Sequence, residues 1–127
     1  MKNDRMFLRC TMCGNLVGMV EDGGVTPVCC GKEMKALKPN TTDAAQEKHV
    51  PVAKREGDTL TVTVGSVPHP MTEEHHIAWI VVASGNLTQR IALSPTGAPE
   101  ASFCVKGTEP VTIYEYCNLH GLWAAEI

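Results

Sequence analysis

The sequence predicts a mainly β protein in two unequal units. A small cysteine-rich unit spans residues 1–37, and a β-sandwich or barrel of immunoglobulin-like size spans 38–127. Three observations carry this. Four of the six cysteines stand at or before Cys30. From Thr59 onward, apolar residues recur at period two or in short runs, and turns bearing Gly or Pro separate those runs. Hydrophobic residues make up 43% of the 127-residue chain, enough for one ordinary core beside a miniature one.

In the first unit, Cys10-Thr11-Met12-Cys13-Gly14 is a Cys-x-x-Cys turn. Gly14 has the freedom for the left-handed backbone that a metal knuckle needs. Cys29-Cys30-Gly31 supplies the second half. Four such cysteines enclose one tetrahedral iron or zinc, and the set alone does not separate the two. Side chains of adjacent residues leave the backbone in different directions, so a distorted tetrahedron is expected. Units below roughly 40 residues seldom hold together without a staple. A structural metal supplies on the order of 10 kcal/mol. The alternatives are a Cys10–Cys13 redox pair or a disulfide knot. Two-cysteine redox motifs normally sit in a βαβ setting, which is absent here.

Residues 38–43, within Leu37-Lys38-Pro39-Asn40-Thr41-Thr42-Asp43, read as a linker of Pro and small polar residues. Ala44 to Lys48 suits one turn of helix, and Pro51 holds Val50 extended. Thr59 to Val64 alternates polar and apolar as a half-buried strand does. Ile77 to Ala83 is a continuous apolar strand, and Arg90–Leu93 and Ala101–Val105 are short ones. Val111 to Tyr116 alternates again and runs into Cys117, and Leu122 to Ile127 closes the chain. Turns fall at Gly57-Asp58, Gly85-Asn86, Pro95-Thr96-Gly97 and Lys106-Gly107. Six or seven short strands describe the sandwich. Cys104 lies in an alternating strand and is read as a packed core thiol.

Charge and hydropathy exclude some functions. With 11 basic and 14 acidic residues the chain carries −3, without the clustered Lys and Arg of a nucleic-acid binder. The longest apolar run, Ile77 to Ala83, is too short to span a membrane as a helix. Met1 to Cys10 holds no apolar run of signal-peptide length, so a cytoplasmic protein is expected. Thiols stay reduced there, and the six cysteines then read as metal ligands rather than disulfides.

The second chemical feature is Cys117-Asn118-Leu119-His120-Gly121, which lets a thiolate and an imidazole reach one ion. Cys-x-x-His is a weak signal alone. His49, His69, His75 and His76 give it weight, because they fall outside the strands, in segments that one end of a sandwich brings together. One soft sulfur with several imidazoles suits a redox-active or Lewis-acid metal.

Taken together, Cys10-x-x-Cys13 with Cys29-Cys30, Glu47-Lys48-His49-Val50-Pro51, His69-Pro70-Met71-Thr72-Glu73-Glu74-His75, and Cys117-Asn118-Leu119-His120-Gly121 resemble desulfoferrodoxin, the two-iron superoxide reductase. The resemblance covers almost the full length. It implies a desulforedoxin-like domain with iron on Cys10, Cys13, Cys29 and Cys30, zinc being the other candidate. It implies a second iron held by His49, His69, His75 and His120 with Cys117 as axial ligand. Glu47 and Lys48 map to the family's glutamate and lysine beside the open sixth position, Glu47 to fill it in the ferric state and Lys48 to steer superoxide. The resemblance further implies a homodimer and an electron donor such as rubredoxin.

Two positions depart from the family pattern. His76 stands where an aromatic residue is common, so ligation by His76 is an alternative register, though the Glu-His spacing favours His75. Cys104 matches no ligand role. Two other functions compete with this reading. A blue-copper electron carrier also pairs Cys-x-x-His with an upstream His, but it needs an axial Met, and no Met follows Met71. A zinc-ribbon interaction protein is the other.

Overall fold

The computed structural model describes residues 6–127. Met1 to Arg5, part of the stretch read for a signal peptide, lie outside the described residues. The chain divides into two compact units, Met1–Lys38 and Pro39–Ile127.

The first unit is built from very short strands. These are β1 (Phe7–Arg9), β2 (Leu16–Gly18), β3 (Val28–Cys29), β4 (Lys32–Glu33) and β5 (Lys35–Ala36). β1 is central in an antiparallel sheet of order β2-β1-β5, and β3 and β4 form a separate ribbon. Its buried core is Leu8, Cys10 and Met34, with Met19 and Cys29 packed against them. Each fully buried apolar side chain contributes about 1.5–3 kcal/mol, so so few cannot offset the ordering of this segment. Val20, Val25 and Val28 are left exposed. The unit is short of core, as its length predicts.

The second unit opens with one helical turn, α1 (Gln46–His49). The strands are β6 (Pro51–Glu56), β7 (Thr59–Val64), β8 (Ile77–Ser84), β9 (Leu87–Ala92), β10 (Glu100–Cys104), β11 (Thr112–Cys117) and β12 (Gly121–Glu126). They form two antiparallel sheets, β10-β7-β6 and β12-β11-β8-β9, which make a seven-stranded sandwich. Period two decides which residues face the space between them. Leu60, Val62 and Val64 of β7 are fully buried, and they join Ile77, Ile80, Val82, Phe103, Val111, Ile113 and Cys117 in one core. β8 is apolar from Ile77 to Ala83 because it is an interior strand, paired on both edges.

Three readings are corrected here. β6 went unread because Pro51 and the charged Lys54, Arg55 and Glu56 argue against a strand; it lies at a sheet edge, where such residues are tolerated. The helical turn is Gln46–His49 rather than Ala44–Lys48, so His49 is its last residue. Cys104 is exposed rather than packed, since Phe103, opposite Leu60, takes the inward position and alternation turns Cys104 outward. The segment after Lys38 has no regular structure, yet it is not loose. Asn40 exchanges side-chain hydrogen bonds with the backbone of Ala124, at 3.1 and 2.9 Å, and so binds to β12. Among the described residues no helix is long and apolar enough to cross a membrane.

Candidate metal centres

In the first unit the Sγ atoms of Cys10, Cys13, Cys29 and Cys30 all lie within 4.8 Å of one another. Cys13 and Cys29 are 3.7 Å apart, too far for a bond, and all four thiols are free. The backbone makes the cluster. Gly14 takes φ +83° and donates to the Cys10 carbonyl at 3.0 Å, closing the first knuckle. Cys30, a non-glycine residue at φ 54°, reverses the chain so that neighbouring cysteines aim at one point. The Cys13 N–H donates to Cys10 Sγ at 3.4 Å, and that bond leads in holding the Cys10 thiol down to about 6. The sulfurs of Cys13, Cys10 and Cys29 push Cys30 up to about 12, and Cys29 is raised by Cys10 and Cys13. Four such sulfurs do not ionise together unaided; a bound metal cation would supply the missing charge.

In the second unit four segments converge. His49 ends α1, His69 follows the turn after β7, His75 stands in the loop before β8, and Cys117 ends β11 with His120 in the turn beyond. At Cys117 the β11–β8 register slips, Tyr116 pairing with Trp79 but Cys117 with Ile77. Such bulges re-aim a side chain at the end of a ladder. Ligand atoms of His49, His69, His75 and Cys117 lie within 4.8 Å of one another. His120 turns its Nδ1 to the same place, 3.1 Å from His49 Nε2 and 3.8 Å from Cys117 Sγ.

The hydrogen bonds decide what this cluster is for. His49 Nδ1 is 2.7 Å from the Ala45 carbonyl, and His69 Nδ1 is 2.6 Å from that of Pro70. A carbonyl only accepts, so both Nδ1 atoms carry the proton and both Nε2 atoms present lone pairs. Those Nε2 atoms face each other at 3.2 Å, and His69 Nε2 lies 3.5 Å from Cys117 Sγ. Burial keeps the rings neutral: it lowers His49 and His75, and it lowers His69 to about 4. Burial raises the Cys117 thiol, with the backbone N–H groups of Leu119 and His120 opposing it. His75 Nε2 is buried without a partner. One N–H from His120 satisfies at most one of these atoms. Converging lone pairs that outnumber the donors between them, one His120 N–H and one thiol, fit a cation, with imidazole and thiolate as its ligands.

The remaining site residues lie around this cluster. The His76 ring bonds the Thr72 carbonyl through Nδ1 at 2.9 Å, while the His75 ring packs 4.6 Å from that of His69. The geometry thus brings His75 and not His76 into the cluster. Glu47 and Lys48 are exposed on α1 beside buried His49. After burial and neighbouring imidazoles, the Lys48 charge is the least of the causes that lower His49 and His75, and at His49 the Glu47 carboxylate opposes it. The turn at Gly65 fixes α1: Val67 N–H and Ser66 Oγ–H donate to the Glu47 carbonyl at 3.0 and 3.3 Å.

Three neighbours were missed from the sequence. Glu115 is fully buried with both carboxylate oxygens unpartnered, and burial pushes it up to about 9. Period two along Ile113, Glu115 and Cys117 was the available signal. Trp123 and Asn118 touch the histidine segments; Asn118 stood inside the Cys117–His120 motif without a role, and no local pattern marked Trp123.

Comparison with known proteins agrees with this geometry. A family model described as desulfoferrodoxin matches residues 41–126, and one described as the desulfoferrodoxin N-terminal domain matches 3–37. The desulfoferrodoxin of Nitratidesulfovibrio vulgaris is 47% identical over 126 residues, covering 99% of each chain. A protein of Pyrococcus horikoshii named superoxide reductase is 38% identical over 99 residues, 64% of this chain and 86% of that one. The crystal structure of the superoxide reductase from Treponema pallidum superposes with a TM-score of 0.75 at 39% identity, covering 93% of this chain and 98% of that one.

Proposed function

Because the chain belongs to the desulfoferrodoxin family, we propose that it is a superoxide reductase working at the histidine–cysteine centre of its second unit. The observation that carries this is the set of bare Nε2 atoms of His49, His69 and His75 gathered about buried Cys117. His49, His69, His75, His120 and Cys117 would hold one iron there, and Cys10, Cys13, Cys29 and Cys30 would hold another. When bound at the first of these, iron supplies the single electron that, with two protons, turns superoxide into hydrogen peroxide.

The chain's own residues do the rest. Four neutral imidazoles and one thiolate would leave a bound ferrous ion net positive, which suits an anionic substrate. Lys48 adds charge beside it and raises the encounter rate. Cys117 would give up its proton to hold the metal, and its thiolate would supply electron density, as in other thiolate-ligated iron proteins. Glu47, one residue before Lys48, is our candidate to cap the open side when no anion is there. With all four cysteines as ligands, the first site would leave no free coordination position and would serve as a staple or relay. A small redox protein such as rubredoxin would return the electron. The family resemblance supports a homodimer, and six free cysteines support a reducing, cytoplasmic setting.

The test is stoichiometric. Reduced protein should consume superoxide and yield peroxide with no oxygen. Release of oxygen at half the superoxide consumed means dismutation and overturns the proposal. An optical spectrum of the oxidised protein beside Cys117→Ser should lose a thiolate-to-metal band.

A further inference from the structure

Trp123 had no role in the sequence beyond filling its strand, yet it touches two of the histidines at once. It is 1% exposed, on the face of β12 that pairs with Glu115. Its ring lies 4.9 Å from that of His49, at 25° between planes. Its indole N–H donates to the His120 carbonyl at 3.1 Å. His49 and His120 are 71 positions apart, arrive from α1 and from the last turn, and meet with rings 4.9 Å apart at 87°.

We propose that Trp123 is a positioning residue for the metal centre, setting the ring plane of His49 and the turn that carries His120. The physical reason is directional. A nitrogen lone pair lies in the plane of its imidazole, so a ring that tips away aims the lone pair off the ion. Nδ1 of His49 is hinged on the Ala45 carbonyl at 2.7 Å, which leaves rotation about that hinge to be stopped by something flat. The buried indole face stops it. The same side chain holds the His120 carbonyl, so the first and last histidines share one rigid support. Partners that orient metal ligands are typically worth about 10–100-fold in metal affinity.

This inference rests on reading the cluster as a metal centre, and the experiment separates the two. The full chain, stripped of metal, is titrated anaerobically with cobalt(II) as a spectroscopic probe. A Trp79→Phe background leaves Trp123 as the one tryptophan of the two in the chain. Cobalt should quench its fluorescence as the histidine–cysteine centre fills. Trp123→Leu should then bind cobalt at that centre about 10–100-fold more weakly, with altered d–d bands, and Trp123→Phe should recover part of the loss. Unchanged affinity and bands in a folded Trp123→Leu overturn the positioning role. If that variant does not fold, an unquenched Trp123 at full cobalt occupancy overturns it instead. A parent protein that takes up cobalt at the four-cysteine site alone removes the metal-centre reading itself.

Discussion

Asn118 and His76 are joined twice: the His76 backbone N–H donates to Asn118 Oδ1 at 2.8 Å, and the Asn118 backbone N–H donates to the His76 carbonyl at 3.2 Å. The Asn118 amide also donates to the Glu74 carbonyl at 2.9 Å. One side chain, next to Cys117, thereby holds both neighbours of His75. Asn118→Ala should cost about 1 kcal/mol, the scale of two lost hydrogen bonds that are open to solvent, where water takes their place. Asn118→Asp keeps the acceptor for His76 and loses only the donor to Glu74. Denaturant unfolding and amide exchange at His76 should rank wild type, Asp and Ala in that order. Equal exchange at His76 in all three would remove the clamp.

Gly65 leads to a second prediction. It sits at φ +87°, and a Cβ there would run into the Val67 carbonyl and come within 2.8 Å of the Glu47 carbonyl. Both obstacles are backbone, so neither yields as a flexible side chain would. Gly65→Ala should destabilise the second unit by about 1–3 kcal/mol from backbone strain alone, with the clash added. The turn that holds Glu47 would shift, and Lys48 and His49 with it. Thermal unfolding and metal retention should therefore fall together. A variant with wild-type melting would contradict this account of the turn.

How far the sequence reached follows from the range of each signal. β7 was legible to its end residues because Thr and apolar side chains alternate without exception from Thr59 to Val64. β6 was not, because edge position excuses Pro51 and its charges, and edge position is a tertiary fact. Cys104 was misread by one step of the alternation, which only the pairing of Phe103 with Leu60 decides. The candidate ligands were legible as types and spacings in short motifs. Their supports were not: Asn118 reaches back to the His75 loop, 42 positions away at His76, and Trp123 reaches His49 in α1. Glu115 hid inside a strand pattern that ordinarily marks apolar residues.

Removing the metal from the first unit should separate the two halves. Its core of Leu8, Cys10 and Met34 is too small to hold the fold alone. Cys13→Ser should leave that unit open to proteolysis and to fast amide exchange. The second unit, with its own core from Leu60 to Cys117, should keep its exchange protection and its reaction with superoxide. Loss of the reaction with iron still bound at the histidine–cysteine centre would contradict this separation.

Lys48 should act on encounter rather than on the chemistry that follows. It is exposed on α1, next to buried His49. An exposed charge is screened over about 8–10 Å at ordinary ionic strength, so its effect must weaken as salt rises. Focused charge beside a reactive centre raises on-rates by 10-fold or more, and a single exposed lysine belongs at the low end, about 10-fold. Lys48→Ile should therefore lower the second-order rate with superoxide by about that factor and flatten its salt dependence. Lys48→Arg keeps the charge and should keep most of the rate. Release of peroxide should change less, since in the proposed reaction that step depends on Cys117 and on protons. Pulse-generated superoxide against ionic strength, for the three proteins, measures this directly. Equal rates and equal salt slopes for wild type and Lys48→Ile would make Lys48 an ordinary surface charge.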